Sequence, residues 1–167
     1  GLADGLRIDH PDGLANPREY LERLRDRGVE RIWVEKILEP GEELRGDWPV
    51  QGTTGYEFAN DATALFVDPA GEEPLTELYA DLTGERRPFA AVAREAKLEV
   101  ATTTFAQEFA RLRALYPHDG LEEAAAALQV YRTYVERDRV AEEDRKACAV
   151  LPEDLRRVIL DFENPEF

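Results

Sequence analysis

The sequence predicts an α/β fold in which a parallel strand–helix–strand unit is followed by a mainly α-helical subdomain. Three observations predict it. Two short apolar runs, Leu6-Arg7-Ile8 and Ile32-Trp33-Val34, each lead into charged residues. Between them lies a segment with both a helix start and a helix stop signal. From Tyr56 onward the apolar residues keep helical spacing, punctuated by Pro and Gly.

In the first run, Leu6 and Ile8 alternate with Arg7 and Asp9, as in a half-buried strand. Pro11 and Gly13 then stop the strand in a turn, so Arg7, Asp9, His10 and Asp12 collect where strand gives way to loop. Asn16 is a good helix N-cap and Pro17 takes the first helical position. Tyr20, Leu21 and Leu24 make an apolar face, and Gly28 is placed to end the helix. The second strand spans 30–36 and ends on Glu35 and Lys36. Strand, helix and strand at this spacing form a βαβ unit with parallel strands. Pro40-Gly41 turns the chain into a polar loop up to Gly46. The stretch 47–56 sets Trp48 and Tyr56 among glycines and hydroxyls and is expected to be a loop.

Helices are expected at 56–66, 74–82, 121–130, 141–150 and 152–162. A longer one spans 88–115, with a possible kink at Thr102-Thr103-Thr104, because β-branched residues are weak helix formers. Residues 128–135 are rich in β-branched and aromatic side chains and have a short strand as their alternative. His118, in a Pro-His-Asp-Gly turn, is expected at the surface, and the charge run 137–145 as a solvated helix face. The division is therefore 1–56, bearing the strands and their terminal carboxylates, and 57–167, a mainly helical inserted subdomain.

Parallel α/β folds build their sites in the loops at the carboxyl ends of strands. Asp9 and Glu35 are expected there, on neighbouring strands about 4.8 Å apart. Two carboxylates roughly 5–5.5 Å apart are the geometry of retaining glycoside hydrolysis. A strand-end salt bridge is the plain alternative for Arg7 with Asp9, and a solvated charge for Glu35. The 47–56 loop suits a sugar site, because aromatic faces stack on pyranose rings and glycines give the backbone room. The alternative is an ordinary connection with Trp48 and Tyr56 tucked into the core. His10 is a candidate hydrogen-bonding partner for sugar hydroxyls, and Asp12 either binds hydroxyls or braces the turn.

Gly5-Leu6-Arg7-Ile8-Asp9-His10 resembles the strand-four motif of the α-amylase family of glycoside hydrolases, and Trp33-Val34-Glu35-Lys36 resembles its strand-five motif. Together with Asp47-Trp48-Pro49-Val50-Gln51-Gly52-Thr53-Thr54-Gly55-Tyr56 they resemble, within that family, the maltooligosyl trehalose synthases, nearly continuously over 5–100 and more weakly beyond. The resemblance implies a partial TIM-type (β/α)8 barrel, of which the two strands are central ones, carrying the helical insertion. It implies Asp9 as nucleophile, Glu35 as general acid/base and Arg7 as the residue that orients Asp9. It also implies His10, Asp12, Lys36, Trp48, Thr54 and Tyr56 as substrate-binding residues. The wider family often has a Lys-His pair shortly after the nucleophile. This chain has Asp12-Gly13, which fits a specialised acceptor site, with Lys36 taking part of that role. The implied activity is isomerisation of the reducing-end α-1,4 linkage of a maltooligosaccharide to an α,α-1,1 linkage, without a cofactor. Other α-glucan hydrolases or transglycosidases of the family are the alternative. A different class, a non-catalytic binding or structural piece, is the alternative for the isolated chain.

Composition narrows the partners. The 167 residues carry 21 Lys and Arg against 36 Asp and Glu, a net charge of −15, which argues against nucleic acid. No apolar run is long enough to span a membrane, and no metal-ligand spacing is recognisable. Cys148 is the single cysteine, so no internal disulfide forms and a reducing cytoplasm is compatible. The chain opens at Gly1, contains no Met and reaches an expected internal strand almost at once, so it is expected to be an internal piece. The resemblance places the remaining barrel segments, with an Asn-His motif and a third carboxylate, elsewhere in the parent protein, as partners of this piece.

Overall fold

The computed structural model describes residues 3–161. The chain divides into two compact units, Gly1–Pro74 and Leu75–Phe167. The first holds β1 (Leu6–Ile8), a 3-10 turn (Pro11–Gly13), α1 (Pro17–Asp26), β2 (Ile32–Val34), β3 (Gly52–Thr53) and α2 (Tyr56–Ala64). After a 3-10 turn at Pro69–Gly71, α3 (Glu72–Thr83) leads into the second unit. That unit continues with α4 (Phe89–Thr102), α5 (Ala106–Leu115), α6 (Leu121–Ala127), α7 (Glu142–Cys148) and α8 (Glu153–Asp161). Among the described residues no helix is long and apolar enough to cross a membrane.

The three strands form one parallel sheet in the order β1-β2-β3, with Leu6 opposite Ile32, Arg7 opposite Trp33 and Ile8 opposite Val34. Ile32 and Val34 are fully buried, as is Leu21 of α1, while Trp33 between the two strand positions is exposed. The helix signals are realised as the sequence predicts. The Asn16 side chain accepts a hydrogen bond from Glu19 N at 3.0 Å, and Gly28 adopts φ 85° just past the last turn. A side chain at that φ is strained, which is why glycine ends the helix here.

β3 departs from the expectation. The sequence predicts 47–56 to be loop and so two strands, yet Gly52 and Thr53 pair in parallel with Trp33 and Val34. Two residues are too few for a sequence period. The pairing comes from the free edge of β2, where Ile32 and Val34 carbonyls accept from Gln51 N at 2.8 Å and Thr54 N at 3.0 Å. The Gln51 side chain adds an anchor, accepting from Ile32 N at 2.6 Å and donating to Glu30 O at 3.1 Å. Arg25 in the last turn of α1 holds the approach to β3 by donating to Pro49 O at 2.8 Å.

In the helical unit the core comprises Leu121, Ala124, Cys148, Leu151, Leu155 and Leu160, with Phe109, Tyr116 and Val135 packed around it. The helix expected over 88–115 is two helices, broken at the threonine run. Thr102 and Thr103 hydroxyls donate back to Leu98 O at 2.8 Å and Glu99 O at 2.6 Å, a local bond that competes with helix continuation. Residues 128–135 are not a strand. No neighbouring edge pairs with them, and the Tyr134 amide donates to the Asp144 side chain at 2.8 Å instead. Two surface expectations are corrected. His118 is partly buried, its Nε2 lying 2.8 Å from Asp154 Oδ2 and its ring stacked on Tyr116. Asp144, inside the charge run expected to be solvated, is 2% exposed and accepts from Tyr134 N and from Ala141 N, the latter at 3.3 Å. Desolvation, and next the nearby Asp144 charge, push the Cys148 thiol above its ordinary pKa, so this cysteine behaves as core. Replacing Asp144 with Ala orphans buried amides, and we expect a loss of about 1–3 kcal/mol, read by chemical denaturation. An unchanged midpoint would show that water or neighbouring groups replace the carboxylate.

Candidate active site

The site grows from the ends of β1 and β2. The Glu35 amide donates to Ile8 O at 2.8 Å, continuing the ladder one step past β2 and bringing Glu35 beside Asp9. Arg7, one pleat before Asp9 on the same face, reaches both carboxylates. Its Nη1 lies 2.7 Å from Asp9 Oδ1 and its Nη2 lies 2.6 Å from Glu35 Oε1. The forked guanidinium therefore sets the two acids against each other as two separate point charges cannot. The Tyr56 hydroxyl, at the start of α2, donates to Glu35 Oε1 at 3.3 Å. Asp9 is open, with 72% of its side chain exposed, while Glu35 is at 22%.

This environment holds the Asp9 carboxyl below its ordinary pKa, first through a side-chain hydrogen bond with Glu35 and next through the hydrogen bond from Arg7. Both favour the charged form of Asp9. Arg7 is correspondingly raised, chiefly by its bond to Asp9.

The chain leaves Asp9 through His10, whose φ of 43° makes it the one non-glycine with positive φ among the described residues. This turns the backbone into the Pro11–Gly13 helix. A Cβ at Gly13 would sit 2.7 Å from His10 Cδ2 and 2.9 Å from Nε2, so a larger residue there would push the imidazole aside. His10 is exposed. Thr54 follows β3 and is exposed, and Gly55 N donates to Thr53 Oγ1 at 3.1 Å to start α2.

The other expected substrate-binding residues are less exposed. Lys36 is 2% exposed, with its ammonium 2.8 Å from Glu42 Oε1 and 3.6 Å from Asp12 Oδ2. Asp12 thus turns toward Lys36, and both sit in an internal ion cluster rather than on open surface. Trp48 is 5% exposed, so its ring is tucked into the core, and Tyr56 alone of the two aromatics is presented at the surface. Glu42 lies in a polar loop that the sequence reading did not single out; its place three residues after Glu39, beside Pro40-Gly41, is the one signal of a closed turn. Among the described residues no group of three or more His, Cys, Asp or Glu is arranged to hold a metal ion.

Paired carboxylates on one arginine, at the carboxyl ends of adjacent parallel strands, define an α/β protein with a strand-end acid pair. No family model matches the chain. A Mycobacterium tuberculosis protein, provisionally named a maltooligosyl trehalose synthase, is 41% identical over 115 residues, which is 68% of this chain and 15% of that protein. The solved structure of maltooligosyltrehalose synthase from Arthrobacter ramosus is 37% identical, with a TM-score of 0.78 over 95% of this chain and 21% of that one. A Sulfolobus tokodaii structure described as a hypothetical maltooligosyl trehalose synthase is 34% identical, with a TM-score of 0.79 over 96% of this chain and 23% of that one. Over the matched stretch this chain is a homologue of the maltooligosyl trehalose synthases. It spans only 15% of the curated relatives' length.

Proposed function

We propose that this chain is part of the catalytic domain of a glucosylmutase, an isomerase of trehalose formation acting on maltooligosaccharides in the cytoplasm. The single observation that carries the proposal is the Asp9–Arg7–Glu35 arrangement, in a chain homologous to trehalose-forming synthases. In this reading the three-stranded sheet is a sector of a (β/α)8 barrel. The exposed apolar side chains Phe58, Leu65 and Phe66 of the first unit support a larger parent, since isolated domains seldom leave such residues uncovered.

The chemistry follows from the roles. Ionised Asp9 attacks the anomeric carbon that carries the reducing-end linkage, and the bond from that carbon to O4 of the terminal glucose breaks. Glu35 gives its proton to O4, leaving a glycosyl ester on Asp9. The released glucose stays bound and turns. Its anomeric hydroxyl then attacks the same carbon while the Glu35 carboxylate takes that hydroxyl's proton, and Asp9 leaves. Two inversions retain the α configuration and yield an α,α-1,1 linkage. Arg7 holds the two acids apart in role and place. His10, Thr54 and Tyr56 are the exposed polar groups placed to meet sugar hydroxyls.

The test is product analysis of the full-length parent with maltopentaose. A terminal non-reducing α,α-1,1 product is expected. Shorter reducing sugars in its place would make the protein a hydrolase, and no reaction with any α-glucan would sink the enzymatic reading.

A further inference from the structure

We propose that Lys36 is a positioning residue: its buried ammonium, held by Asp12 and Glu42, ties the loop after β1 to the loop after β2 and so sets the spacing of Asp9 and Glu35. Lys36 is among the largest fully buried side chains, and a buried ammonium is retained only when paired. Each partner comes from a different segment. Asp12 lies in the Pro11–Gly13 turn, three residues after Asp9, and its Oδ2 is 3.6 Å from the ammonium. Glu42 lies in the loop beyond β2, with Oε1 at 2.8 Å. The other oxygen of Glu42, Oε2, accepts from Glu39 N at 3.0 Å, and Glu42 N donates to Glu39 O at 2.8 Å. The 39–42 turn is thereby closed on itself and presents a fixed carboxylate. The ammonium also donates to Ile37 O at 3.4 Å.

The consequence lies in adjacency. Glu35 and Lys36 are consecutive; Glu35 faces Arg7, and Lys36 runs into the interior. Movement of the Lys36 anchor moves Glu35, and movement of Asp12 moves the Pro11–Gly13 turn that follows Asp9 and His10. Arg7 ties the two carboxylates from the open side, and Lys36 ties their two loops from the buried side. A near-attack geometry is sensitive to displacements on the scale of 1 Å, so a tie of this kind acts on turnover rather than on substrate affinity.

The kinetic part of the test rests on the proposed function; the exchange part does not. In the full-length protein, Lys36→Met is expected to lower kcat on maltopentaose by about 10- to 100-fold, with KM changed by less than about twofold. Lys36→Arg, which keeps a charge, should recover part of the loss. Amide hydrogen exchange of segments 10–15 and 36–43 should quicken in Lys36→Met. Lys36→Met strands two carboxylates and risks misfolding, so the neutral triple variant Asp12→Asn, Lys36→Met, Glu42→Gln is made beside it and should show the same kinetic loss. A folded variant with unchanged kcat overturns the inference, as does a raised KM at constant kcat, which marks a substrate contact. Slow, wild-type exchange in both segments overturns it as well. If the wild-type protein forms no α-glucan product, the functional proposal falls and the exchange result alone decides the role of Lys36.

Discussion

Glu35→Gln in the full-length protein is expected to lower kcat on maltopentaose by about 10²–10⁴-fold, the range for removing a general acid/base. Gln cannot give a proton to the departing O4 or take one from the incoming hydroxyl, so both half-reactions suffer. Asp9→Asn should cost at least as much, since a neutral amide forms no glycosyl ester. The two variants are distinguishable. With an activated glycosyl donor whose leaving group needs no protonation, Glu35→Gln should recover its first step and accumulate glycosyl-enzyme detectable by mass spectrometry. Asp9→Asn should show none. Equal recovery in both, or turnover near wild type in either, would remove these carboxylates from the chemistry.

Arg7→Met is the second large effect. On the proposed mechanism Asp9 works ionised, so activity should be lost as pH falls through its lowered pKa. Glu35 supplies the larger part of that lowering and Arg7 the next. Deleting the guanidinium removes one stabiliser of the charged form, so the Asp9 pKa rises. The acid limb of kcat/KM against pH, which reports the free enzyme, should therefore begin at a higher pH in Arg7→Met. Loss of the shared fork should also lower kcat at the optimum by about 100-fold through misplacement of the acids. An acid limb at the same or a lower pH would mean that Arg7 does not govern the ionisation of Asp9. The same linkage bears on folding. A depressed carboxyl contributes stability present above its unfolded pKa and lost as pH falls through the folded one, but Asp9 is open to solvent and screening keeps this contribution small.

Much of the site was legible because its signals are local. Arg7 and Asp9 are two residues apart on one strand, so period-2 alternation alone puts them on one face. The parallel register that brings Glu35 alongside follows from a helix with a clear cap and a clear stop between two short apolar runs. Tyr56 was singled out as an aromatic in a glycine-rich stretch, and the structure places its hydroxyl on Glu35. Trp48 came with the same composition and is buried, because nothing in a loop's residue types says which ring faces inward. Lys36 shows the same limit: its type and place say nothing of burial, and the carboxylates of Asp12 and Glu42, brought from two separate loops, help make that burial tolerable.

The sequence by itself determined the strand–helix–strand order of β1, α1 and β2, the boundaries of α1 through Asn16, Pro17 and Gly28, and the placing of two acids at neighbouring strand ends. These rest on backbone preferences and caps that act within a few residues. Tertiary structure alone decided β3 at Gly52–Thr53, the buried Asp144, and the inward turn of Lys36. The physical reason is the same in each case. A strand edge, a desolvated charge or a buried amide is satisfied by whichever partner packing brings near, and that partner lies at a distance no local pattern records.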